Sequence, residues 1–160
     1  IHAILPRVAL ASGVLLPLVA FLLYRSITKT YVPPPGTDIF TLVQGTWAWT
    51  TSDSSCRTDP ETISFTPDRK GMIIALGRPY KLADGTLDSM AYYDILRVTP
   101  GSIRGAIRGE TRLTADSHPV VWDLVVEGPD RFAWHRTDWA GWEHTRDLRR
   151  CPTASPPPSQ

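Results

Sequence analysis

The sequence predicts a mainly β chain, with a single N-terminal transmembrane helix followed by an antiparallel β-barrel or sandwich of about eight strands. Three observations predict it. One run near the N-terminus, Val8 to Tyr24, is long and uncharged. Beyond Gln44, short alternating stretches follow one another, with turn signals roughly every 8 to 12 residues. No segment of helical period interrupts them, which disfavours a parallel sheet, and closure into a barrel removes exposed edges.

The uncharged run, VALASGVLLPLVAFLLY, meets the length of about 17 to 20 apolar residues that a bilayer core requires of a helix. Arg7 and Arg25 stand at its ends, where long side chains reach the headgroups, and Tyr24 is placed as an interfacial aromatic. Pro17 is tolerated in a spanning helix. A cleavable signal would end in a small-residue site, whereas this run ends in Phe21-Leu22-Leu23-Tyr24-Arg25. The run is therefore expected to be a retained single-pass anchor. Gly13, beside Ala9, Ala11 and Ser12, offers a small-residue patch for close packing on another helix. Leu15 and Leu18, with Leu22 and Leu23, are expected to face lipid or pigment.

Residues 1–31 are thus the anchor and 32–41 a spacer, stiffened by Val32-Pro33-Pro34-Pro35-Gly36. Residues 42–151 are the β domain, and 152–160 a Pro-rich tail unable to form a core. Thr37 or Asp38 can cap a short helix over Ile39–Val43 that closes one end of the domain. Strands are expected over Thr46–Thr51, Glu61–Thr66, Met72–Leu76, Lys81–Gly85 and Met90–Val98. Further strands are expected around Ile103–Ile107 continuing through Glu110–Thr114, then over His118–Glu127, Arg131–Arg136 and Trp142–Cys151. Pro67-Asp68-Arg69-Lys70-Gly71, Thr99-Pro100-Gly101 and Gly128-Pro129-Asp130 read as the turns between them.

Seventeen basic residues oppose 16 acidic ones, a balance that gives no electrostatic case for nucleic acid. The absence of asparagine removes any N-glycosylation sequon. Cys56 and Cys151 match no zinc spacing and are expected to form a disulfide, closing a loop worth roughly 4 to 5 kcal/mol in the chain-entropy account. Such a bond belongs to an oxidising compartment. The basic residues flanking the run lean weakly toward a cytoplasmic C-terminal domain. The cysteine pair points the other way, and the domain is expected outside the cytoplasm, in the periplasm.

Gly45-Thr46-Trp47 opens the first strand and Arg149-Arg150-Cys151 closes the last. This pattern resembles the lipocalin-like (calycin) barrels, whose first strand carries a G-x-W and whose final strand supplies an arginine that stacks on the tryptophan. The resemblance spans Leu42 to Cys151. It implies that Gly45 and Trp47 close the barrel, with Arg149 or Arg150 as the cation on the indole face. The chain lacks the second motif of true lipocalins and a long helix beside the barrel.

Motifs for a serine hydrolase, a zinc protease, a P-loop or a C-x-x-C are absent. His135, Asp138 and His144 flank one turn and would be the residues of a metal or catalytic site, and Asp123 with Glu127 or Glu110 would make a carboxylate pair. Solvated turn and strand positions account for both sets. Trp47, Trp122 and Trp134 are expected in the core, whereas Trp139 and Trp142, at a loop tip, are candidates for contact with a partner or a membrane surface. No cofactor is expected beyond lipid or pigment along the anchor.

Three functions fit. The first is a non-enzymatic accessory subunit whose helix docks in a larger membrane complex, by analogy a photosynthetic reaction-centre or antenna assembly or a respiratory one, its partners being the other subunits and the lipid bilayer. The second is a membrane-tethered carrier of a small apolar ligand, with a cavity lined by Phe65, Ile74, Tyr92 and Trp122. The third is an enzyme using the His135 region. The first is the expectation carried forward.

Overall fold

A computed structural model describes residues 31–51, 56–81, 85–141 and 143–152. The eight strands are β1 (Gly45–Trp49), β2 (Glu61–Phe65), β3 (Gly71–Lys81), β4 (Leu87–Thr99), β5 (Ser102–Ile107), β6 (Trp122–Gly128), β7 (Arg131–Arg136) and β8 (Leu148–Arg150), and one short helix, α1 (Ile39–Val43), precedes them. Each strand pairs antiparallel with the next, and β8 returns to β1, giving a closed barrel. A closed eight-stranded antiparallel meander is consistent with a lipocalin-like barrel. Among the described residues no helix is long and apolar enough to cross a membrane. The expected anchor, with Gly13, Leu15, Pro17 and Leu18, lies outside the described residues, as do Trp142 and residues 153–160 of the tail.

The barrel has two unlike ends. At one, the connections 66–70, 100–101 and 129–130 are tight; at the other, 50–60, 108–121 and 137–147 are long. The tight end is plugged. Asp38 accepts a hydrogen bond from the Phe40 amide and caps α1, as Asp at such a position should. The Thr41 hydroxyl also donates to Asp38, at 3.0 Å, and Arg69 from the β2–β3 turn pairs with it at 2.9 Å. Ile39 and Val43 are buried on the inner face of α1, and Phe40 sits edge-on to Phe65 at 4.9 Å. Beneath α1 the two-residue period of the strands fills the barrel. Trp47, Ile63, Met72, Ile103, Leu124, Phe132 and Leu148 are all fully buried.

Arg150 ties the plug to the barrel. Its guanidinium lies 4.2 Å from the Trp47 ring centroid and donates to the backbone carbonyls of Leu42 and Gln44. Its Nε reaches Asp130 at 2.9 Å. Trp47 Nε1 donates to the Val43 carbonyl at 2.8 Å, satisfying a buried indole. Gly45 has φ 133°, a backbone conformation that favours glycine, and a Cβ there would stand 2.9 Å from Arg150 Nη1 and displace that guanidinium. Arg150, not Arg149, is therefore the cation on the indole. Cys56 and Cys151 form a disulfide that holds the β1–β2 loop against the end of β8.

Four strand expectations are corrected. Lys81 ends β3 instead of opening a strand, because β3 continues past a register shift between Ala75 and Tyr80. Glu110–Thr114 is loop: Gly109 has φ 75°, and the Glu110 carboxylate takes the Arg112 amide at 2.9 Å, turning the chain away from β4. Leu113 makes a single bridge to Pro119, and β6 begins only at Trp122. The last strand is limited to Leu148–Arg150, since the Thr145 amide and hydroxyl bond back to Trp134 outside any ladder.

Candidate functional site

The long-loop end of the barrel is open onto a pocket of about 470 Å³. Inward positions near the ends of the strands build its wall: Trp49 of β1, Glu61 of β2, Ile74 and Leu76 of β3, Ala91 and Tyr93 of β4, Ile107 of β5, Trp122 of β6 and Trp134 of β7. Glu61 pairs with Leu76 across β2–β3, as Ile63 pairs with Ile74, so all four share the inner face. Tyr93 stacks on Trp134 with centroids 5.4 Å apart and planes 15° from parallel. Trp122 meets Trp134 edge-on at 6.4 Å. The wall is thus largely aromatic and aliphatic, as small-molecule sites are.

Glu61 is the polar exception. It is only 9% exposed, and its Oε1 accepts a 2.7 Å bond from Trp49 Nε1. Burial, with the charge of Asp59 beside it, pushes its carboxyl above the ordinary glutamate range, and the Trp49 bond opposes the rise. Burial likewise raises the Tyr93 phenol, with Glu61 adding to the effect. At the rim, Glu110 and Arg112 pair at 2.6 Å. Burial works against ionisation of Glu110, but the Arg112 side-chain and amide bonds outweigh it and its carboxyl is lowered. Arg112 also lies 5.5 Å from the Trp122 ring centroid. The Trp122 Nε1 is buried and makes no hydrogen bond of full geometry, but it lies near the Glu110 carboxylate and helps to lower it.

The sequence-derived cavity list is half right. Ile74 and Trp122 line the pocket. Tyr92 does not: it is 41% exposed and pairs with Ile73 on the outer face, while its neighbour Tyr93 pairs with Met72 on the inner one. Phe65 belongs to the plugged end, against Phe40. Glu61 was legible as a same-face neighbour of Ile63 and Phe65 in an alternating strand, yet nothing in its own letter marks it as buried. Trp139 is half-buried, edge-on to Trp122 at 5.6 Å and near Arg136, so its ring is engaged within the chain.

The histidines do not assemble as the turn spacing suggested. His135 contacts the Ala140 carbonyl at 3.2 Å, Asp138 pairs with Arg136 at 2.8 Å, and His144 contacts the Thr145 carbonyl at 2.6 Å. Asp123 is bound by both arms of Arg104, at 2.8 and 2.7 Å, instead of by a second carboxylate. His144 instead approaches Glu127 and Asp147, whose ligating atoms lie within 4.8 Å of one another and of its own. Arg131 already stands 3.5 Å from both of those carboxylates, which supplies the positive charge locally. Compared with protein-family models, with curated proteins and with solved structures, the chain matches none.

Proposed function

We propose that this chain is a lipocalin-like binding protein that takes a small, largely apolar molecule into the open end of its barrel, without transforming it. The observation that carries the reading is the asymmetry of the barrel: one end is sealed by α1 and the Trp47–Arg150 contact, and the other leads into an aromatic pocket of about 470 Å³. Pockets of this size and lining bury most of a drug-sized ligand. The run at 8–24 supports tethering at a membrane, and the Cys56–Cys151 disulfide supports placing the barrel outside the cytoplasm.

Isothermal titration of the full chain in mild detergent with indole, naphthalene derivatives and medium-chain alcohols tests this. Ala91→Trp, which fills the pocket from the inner face of β4, serves as the blank for partition into micelles. Saturable one-to-one binding that Ala91→Trp abolishes is the expected result. Binding that survives in Ala91→Trp, or none in either protein, ends the carrier reading.

A second reading is an accessory subunit of a larger membrane complex. Apolar side chains exposed on the barrel, Leu87 at 69% and Leu96 at 57% beside Tyr92 on β4, favour it. Gentle-detergent purification from the native membrane separates the two, since migration as a free monomer removes the subunit reading.

A further inference from the structure

We infer that the ligand of this pocket is a small organic cation, an ammonium carried on a flat apolar body, with Glu61 as its counter-ion and Trp49, Tyr93 and Trp134 as its aromatic wall. The inference rests on the pocket reading above and adds the charge of the molecule.

The argument starts from what each charged group around the pocket already has. Glu110 is paired with Arg112 at 2.6 Å, and Arg108 with Asp94 at 2.7 Å. Lys81 is exposed at the rim. Glu61 is different. Among the described residues its polar contact is the neutral indole N–H of Trp49, and no lysine, arginine or histidine stands within ion-pair distance of it. A carboxylate withdrawn from water with no positive partner is costly, and natural proteins seldom keep one without a use. The rise of its carboxyl above the ordinary range reflects the same unpaid desolvation. A ligand ammonium supplies the missing charge.

The surroundings suit such a group. Ring faces attract cations, most strongly where water is excluded. The chain makes that attraction visible at the same rim, where Arg112 lies 5.5 Å and Arg136 6.0 Å from the Trp122 ring centroid. The stacked Tyr93 and Trp134 rings line the pocket and supply apolar wall to a ligand's body. A neutral apolar ligand would leave Glu61 unanswered.

Tryptamine, tryptophol and indole-3-acetate share one ring and differ at the end group as cation, neutral alcohol and anion. Titration of the full chain with the three at pH 7, with Ala91→Trp as the blank, reads the preference directly and needs no alteration of Glu61. Tryptamine is expected to bind about tenfold or more tighter than tryptophol, and indole-3-acetate weakest. Glu61→Gln is expected to collapse the tryptamine-to-tryptophol ratio to within about threefold. Saturable binding in which tryptophol or indole-3-acetate equals or exceeds tryptamine overturns the charge inference and leaves the pocket reading standing. A tryptamine preference that persists in Glu61→Gln overturns the role of Glu61. No saturable binding by any of the three removes the pocket reading and this inference together.

Discussion

Removing the Arg150 guanidinium tests whether the plugged end is held by one residue. Arg150→Ala deletes the donors to the Leu42 and Gln44 carbonyls at the exit of α1, the bond to Asp130 and the cation over Trp47. A hydrogen bond from a charged donor contributes about 1.5 to 3 kcal/mol. The Arg150 side chain is 29% exposed, so water recovers part of the loss at the two carbonyls and about 3 kcal/mol for the pair is reasonable. The cation–π contact adds about 0.5 to 1 kcal/mol. Asp130 is 71% exposed and contributes within the range of about 0 to 1 kcal/mol usual for surface pairs. The expected total is about 3.5 to 5 kcal/mol, a large share of the roughly 5 to 15 kcal/mol that holds a domain folded. At about 4 to 8 °C per kcal/mol for a domain near this size, Tm falls by about 14 to 40 °C.

Urea unfolding followed by tryptophan fluorescence measures this, with Asp130→Ala as the comparison and Arg150→Lys as the conservative variant. Lysine keeps the charge but not the planar fork, and is expected to restore less than half of the loss. The reasoning is refuted if Arg150→Ala and Asp130→Ala cost the same and both stay under about 1 kcal/mol.

Other outcomes follow from the same geometry. Joint replacement of Cys56 and Cys151 by serine, which opens a crosslink spanning 95 residues, is expected to cost about 4 to 5 kcal/mol by chain entropy, seen as a lower urea midpoint; an unchanged midpoint would place that loop's constraint elsewhere. Gly45→Ala forces a side chain into a left-handed φ and against Arg150, and should lower Tm by more than Gly141→Ala, where a Cβ meets nothing within 4 Å. For Glu61 the folded chain holds the proton more tightly than the unfolded chain. Its penalty is absent below the unfolded value of about 4.3 and grows as pH rises through the folded value. Glu61→Gln should therefore gain stability relative to wild type between pH 4 and pH 7, and a difference flat with pH would contradict the burial of a titrating carboxyl. Trp49→Phe removes the one bond that opposes the rise, so an NMR titration of the Glu61 carboxyl carbon should move to higher pH.

Much of the barrel is legible in the letters because a strand with one buried face must alternate. Glu61-Thr62-Ile63-Ser64-Phe65 shows that alternation, and the structure buries Ile63 while exposing Thr62. The Asp38 cap and the short helix behind it are equally plain, since an oxygen-bearing side chain before a run of four apolar residues in five has few other uses. The plugged end was readable through the lipocalin-like resemblance, which implied Gly45, Trp47 and either Arg149 or Arg150 as the closing residues; the structure selects Arg150. The open end was not. Its wall comes from seven strands, and which of Tyr92 or Tyr93 points inward depends on the register with β3, which a single strand does not encode. The Glu110–Thr114 stretch alternates like a strand, but Gly109 and the Glu110–Arg112 contact divert it, and local side-chain bonds of that kind compete with ladders unseen by periodicity.

The direction in which β1 enters and β8 leaves has a practical consequence. Gly45 begins at the plugged end and Arg150 finishes there, while Tyr31 and Pro33 lie beside Gly101 in the tight β4–β5 connection. Entry and exit of the barrel domain therefore share the face opposite the mouth. Attaching the barrel domain itself at Tyr31 or Pro152 leaves the mouth directed into solution, so surface-based binding measurements on that domain do not obstruct it. The same proximity makes the domain a candidate for circular permutation. A short linker from Pro152 back to Tyr31, with new ends opened in the long 108–121 connection, would move the termini to the mouth and make them reporters of its occupancy.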